Sequence, residues 1–174
     1  MEPALINGIP AHALLVHLVV VFVPLTALAL VVCAAWPPVM RRFGLALPLL
    51  ALVTLVSVPL TTSAGEWLEK RIAQNVLVAR HADLGDGLLP WAVGLFVLSA
   101  ALWWFYRRAY PATPSFGGGR GSAAGVSIPL RATSVVLCLA VAVGGVVQVY
   151  RIGDSGAKAT WINRFSAAAG DNRG

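Results

Sequence analysis

From Ala11 to Ala35 the chain carries no Asp, Glu, Lys or Arg, and three further apolar runs follow. About 20 such residues in helical form cross the hydrocarbon core of a bilayer. Within that core every backbone N–H and C=O must be satisfied inside the protein, which makes the α-helix the spanning element for runs of this kind. The spans are placed at about 11–35, 44–60, 88–106 and 132–150. Pro10 opens the first, and Trp36-Pro37-Pro38 closes it. Arg41-Arg42 and Thr61-Thr62-Ser63 bracket the second, the third ends in Trp103-Trp104-Phe105-Tyr106-Arg107-Arg108, and Arg131 and Arg151 bracket the fourth.

Composition points the same way. Of 174 residues, 58% are hydrophobic and 11% charged, where ordinary soluble domains carry roughly a quarter charged residues. Disorder and most soluble enzyme folds are excluded. The net charge of +6 flanks apolar runs instead of forming a basic stripe, so it reads as membrane topology and implies no nucleic-acid partner. Cys33 and Cys138 lie inside apolar segments as small core hydrophobes, with no spacing that suggests a disulfide framework or a zinc finger. The first run lacks a basic leader and is too long for a cleavable signal peptide.

The fold expected is all-α, a four-transmembrane-helix bundle forming a single domain over residues 1–165, with 166–174 as a flexible tail. Between spans 2 and 3, Trp67, Leu68, Ile72, Val76 and Leu77 recur at helical spacing among charges, and Glu66–Arg80 reads as a short interfacial helix. Pro111–Gly125, rich in glycine, reads as a loop. Ala140 and Gly144, with Gly145 adjacent, give span 4 a step of small residues suited to close packing.

Short-loop arginines orient the bundle. Arg41 and Arg42 lie between spans 1 and 2, and Arg107, Arg108, Arg120 and Arg131 between spans 3 and 4, with no acid in either loop. The loop between spans 2 and 3 mixes Glu66, Glu69, Asp83 and Asp86 with Lys70, Arg71 and Arg80. The Arg-rich loops are therefore expected in the cytoplasm and both termini outside, in a bacterial plasma membrane.

All three histidines, His12, His17 and His81, then fall at the outer end, within about one and a half turns of each other in depth. A polar ionisable residue inside a span is costly and marks a functional hypothesis. His12 and His17 are five residues apart, about 140° round a helix, so they do not share a face. Two cofactor readings follow. In the first, a b-type haem is held by one imidazole from each of two helices, with His17 and His81 the preferred pair and His12 the other span 1 ligand, while Gly144 and Gly145 admit the ring edge. In the second, a divalent metal is held by His81 with His17 or His12 and the carboxylates of Asp83, Glu66 or Asp154. The bland reading of each residue is a hydrogen-bonded tie between helix ends. Asp83 is expected as an N-cap ahead of span 3, and Gly153-Asp154-Ser155-Gly156 as an ordinary chain reversal. No hydrolase arrangement is present, and no enzyme activity is expected.

Ile9-Pro10-Ala11-His12-Ala13-Leu14-Leu15-Val16-His17, Ser63-Ala64-Gly65-Glu66-Trp67-Leu68-Glu69, His81-Ala82-Asp83-Leu84-Gly85-Asp86 and Tyr150-Arg151-Ile152-Gly153-Asp154-Ser155-Gly156 resemble a domain-of-unknown-function family of bacterial four-helix membrane proteins, most like its actinobacterial members. Some members of that family are fused to Rieske or cytochrome modules, so the resemblance implies electron transfer with a separate membrane or periplasmic redox partner. Many relatives have Pro immediately after the first histidine, where this chain has Ala13. The function expected is haem binding near the outer face and electron transfer. The alternative is a metal-binding or non-catalytic structural accessory subunit of a membrane complex, and a homo-oligomer stays open.

Overall fold

The computed structural model describes residues 5–6, 8–73, 75–109 and 128–162. The loop expected at 111–125 and the tail at 166–174 lie outside the described residues. A two-strand turn, β1 (Leu5–Ile6) and β2 (Ile9–Pro10), leads into α1 (Ala11–Ala35). The helix stops where proline dictates: Trp36, preceding Pro37, is extended at φ −126° and ψ 91°, the conformation a following proline imposes. Pro37 then opens α2 (Pro37–Phe43), which ends at Gly44 with φ +50°, a backbone setting that favours glycine.

α3 (Ala46–Glu69), α4 (Val76–Asp86), α5 (Leu89–Ala109) and α6 (Ile128–Trp161) complete the chain. Four helices are long and apolar enough to cross a membrane, as the sequence predicts. α1 and α5 match the first and third expected spans. α3 and α6 do not stop where expected.

Thr61-Thr62-Ser63 reads as a terminus, yet α3 runs through it to Glu69. The hydroxyls bond back onto their own helix, Thr61 to the Ser57 carbonyl at 2.7 Å and Ser63 to the Pro59 carbonyl at 2.6 Å, and so do not compete with it. The short helix between spans 2 and 3 consequently starts later, at Val76, where the Asn75 side chain accepts hydrogen bonds from the backbone N–H groups of Leu77 and Val78. The reversal expected at Gly153-Asp154-Ser155-Gly156 is absent, because α6 continues through it to Trp161. Ser155 donates back to the Ile152 carbonyl at 2.8 Å, and Lys158 pairs with Asp154 one turn away. Asp83 lies inside α4 and caps nothing.

In the bundle α1 packs against α3 and α6, and α5 closes the ring between them. Val23, Leu30, Leu47, Leu95 and Cys138 fill the interior. Thr26 and Thr54, both fully buried, share a hydrogen bond of 2.7 Å across α1 and α3. Outward faces carry exposed apolar side chains such as Leu14, Leu18, Leu25 and Leu28, the surface a lipid solvent requires. Ala140 faces outward, so the small-residue step of α6 reduces to Gly144 and Gly145. At one end of the bundle Arg107 and Arg108 stack on Trp103 and Trp104, and Arg131 donates to the Ala35 carbonyl. At the other end α4, which with α5 makes up the third membrane-length segment (Val76–Ala109), runs alongside α6 and touches α3.

Candidate functional site

Two of the three histidines meet where α4 packs against α6 and α3. His12, in the first turn of α1, and His81 of α4 stand with ring centroids 6.2 Å apart and planes at 85°. Each ring is steered by a different neighbouring helix. His12 Nδ1 lies 3.0 Å from the Thr61 carbonyl of α3. A carbonyl only accepts, so Nδ1 carries the proton. His81 Nδ1 lies 3.1 Å from both the Ile152 carbonyl and Ser155 Oγ of α6. Ser155 spends its own proton on that carbonyl, so its oxygen accepts from His81. Both neutral rings are thus held as the Nδ1–H tautomer with the lone pair on Nε2, and neither Nε2 makes a hydrogen bond among the described residues.

Glycine makes the approach feasible. A Cβ on Gly65 of α3 would stand 3.0 Å from His12 Nδ1, and one on Gly156 of α6 would stand 2.9 Å from His81 Cε1. Gln148 of α6 fastens the far end of α4, donating to the Leu84 carbonyl at 2.7 Å. Burial pushes the His81 pKa below its usual 6.5, the hydrogen bond to the Ile152 carbonyl opposes this in part, and His12 adds a lesser lowering.

His17 is not part of this arrangement. Its ring is exposed, and Nδ1–H donates to the Ala13 carbonyl of its own helix at 2.8 Å. The 140° offset from His12 has one ring turned inward and the other outward, so the span 1 partner of His81 is His12. Nor do Gly144 and Gly145 frame a slot. A Cβ on Gly144 would stand 2.0 Å from the Trp91 indole, which already lies on the glycine, and Gly145 packs against Val23, Trp91 and Leu95. Glu66, Asp83 and Asp154 are exposed, and Asp154 is taken by Lys158 at 2.6 Å. Among the described residues no group of three or more His, Cys, Asp or Glu side chains converges as a metal would need. Sequence reading passed over Ser155, Gln148 and the role of Gly65 and Gly156. The signal available for these was the glycine or hydroxyl one helical step from a chemically distinctive residue.

A helical bundle with four membrane-length spans and a histidine pair at one end defines a multi-pass membrane protein. Residues 8–169 match the family described as "Predicted membrane protein (DUF2231)", and the chain belongs to that family. No curated protein and no solved structure matches it.

Proposed function

We propose that the protein binds a b-type haem, which His12 and His81 would hold, and that it passes single electrons to a membrane or periplasmic redox partner. The observation that carries this is the pair itself, with both Nδ1–H groups spent on backbone carbonyls of other helices and both Nε2 lone pairs left over. Haem asks for two protein ligands, whereas a bare divalent ion asks for three or four. Two donors with no third converging on them among the described residues favour haem over the divalent metal. The group would supply a one-electron redox centre.

The chain's own residues hold and tune the ligands. The Thr61 and Ile152 carbonyls fix tautomer and ring orientation and raise imidazole basicity. Half-burial lowers the His81 pKa and so favours the neutral ring, the form that ligates. Trp91 lies on Gly144 deeper in the bundle, which supports reading the histidine end as the cofactor end. We read that end as the outer face of a bacterial plasma membrane, since the arginines of the short loops gather at the opposite end.

The test is an oxidised and dithionite-reduced optical spectrum of detergent-purified protein expressed with ample haem. Sharp six-coordinate b-type bands are expected, abolished in His12→Ala and His81→Ala and retained in His17→Ala. A featureless spectrum of the folded wild-type protein refutes the reading, and bands that survive His12→Ala refute the ligand assignment.

A further inference from the structure

A second feature adjoins the histidine pair, where α4 meets α6. Between α4 and α6 opens a cavity of about 80 Å³, lined by Leu77, Arg80 and Leu84 on one wall and by Tyr150, Arg151, Asp154, Ser155 and Lys158 on the other. Its charge is lopsided. Asp154 is neutralised by Lys158 at 2.6 Å, while Arg80 and Arg151 have no ion-pair partner among the described residues. Two guanidiniums at one small cavity form a site for an oxyanion, which they match through forked N–H donors.

The helix below indicates where that anion comes from. Val136, Val143, Val147 and Tyr150 are all exposed and recur at intervals of seven, four and three, which places them on one face of α6. This apolar stripe climbs the span and ends at Tyr150, 75% exposed, one residue before Arg151. A tyrosine at the end of a span sits at headgroup level. The geometry points to a bound anionic phospholipid, with its acyl chain along the valine stripe and its phosphate between Arg80 and Arg151. The lipid bridges α4 to α6. Ser155, which lines the cavity and also holds His81, links that bridge to the histidine pair. This proposal stands independently of whether haem is bound.

The test is native mass spectrometry and thermal unfolding of the full chain in detergent, supplied in turn with phosphatidylglycerol, phosphatidylcholine and inorganic phosphate. Phosphatidylglycerol is expected to remain bound and to raise the unfolding temperature, with neither of the other two doing so. In the double variant Arg80→Gln/Arg151→Gln its affinity is expected to fall roughly thirtyfold, the loss of two basic contacts at a membrane surface. Arg80→Lys/Arg151→Lys, which keeps the charge, is expected to restore much of it, and Arg42→Gln at the other end of the bundle to leave it unchanged. Equal retention of phosphatidylcholine, equal stabilisation by inorganic phosphate, or undiminished phosphatidylglycerol binding in the double glutamine variant each overturns the proposal.

Discussion

Gly156 of α6 lies against the imidazole of His81 so closely that a Cβ on the glycine would stand 2.9 Å from Cε1 and 3.1 Å from Nδ1. Gly156→Ala must therefore push the ring off Ser155 and the Ile152 carbonyl. Overpacking of this kind costs about 1–3 kcal/mol. The expected outcome is faster amide exchange in α4, read by hydrogen–deuterium exchange, with α1 and α5 unchanged.

Gly144 and Gly153 make a matched contrast on the same helix. Gly144→Ala meets the rigid Trp91 indole at 2.0 Å and is expected to destabilise by about 3 kcal/mol, at the upper end for overpacking. Gly153→Ala meets nothing within 4 Å and is expected to stabilise by about 0.5–1 kcal/mol, the helix-propensity gain. Denaturant unfolding in detergent separates the two by sign.

Acid should loosen α4. The folded protein holds the His81 pKa below its ordinary 6.5, so as pH falls through 6.5 the unfolded state takes up a proton before the folded state does. The stability contributed by neutral His81 is full above about pH 6.5 and declines as pH drops towards the folded value. Exchange protection of α4 is expected to fall between pH 7 and 5, and His81→Gln is expected to flatten that dependence. A dependence unchanged in His81→Gln would assign it to another group.

The buried hydroxyls give opposite expectations. Thr54→Val leaves the Thr26 hydroxyl without its 2.7 Å partner and is expected to cost about 0.6–1.7 kcal/mol, the range for hydrogen bonds between membrane helices. Ser99 Oγ is fully buried and finds no partner among the described residues, so Ser99→Ala is expected to be neutral or stabilising. Unfolding in detergent, with a Thr26→Val/Thr54→Val double-mutant cycle, measures both.

The number of spans and the limits of α1 and α5 were legible because they follow from local causes: apolar length, Pro37, and the aromatic and arginine cluster after Leu102. The ends of α3 and α6 were not. Thr61-Thr62-Ser63 and Gly153-Asp154-Ser155-Gly156 carry the chemistry of termini in water, but here their hydroxyls are satisfied by carbonyls one turn back, and Gly156 serves as a contact surface for His81. The site was half legible. Spacing establishes that His12 and His17 face apart, yet which of them faces inward depends on where α3 and α4 lie, a long-range fact that neither residue carries. The slot imagined at Gly144 failed for the complementary reason: a glycine marks close approach without saying what approaches, and here it is Trp91.

α6 runs for 34 residues as one helix, about 51 Å at 1.5 Å per residue, and so overshoots a hydrocarbon core of about 30 Å. Its apolar run, about 132–150, matches that core, so the excess is the polar stretch past Tyr150 that carries Arg151, Asp154 and Lys158. Ile152, Ser155 and Gly156 all ride on the overshoot, while His12 is rooted on α1. The ring of His81 is thus held by a stretch of α6 beyond its apolar run, on the same unbroken helix that crosses the bilayer.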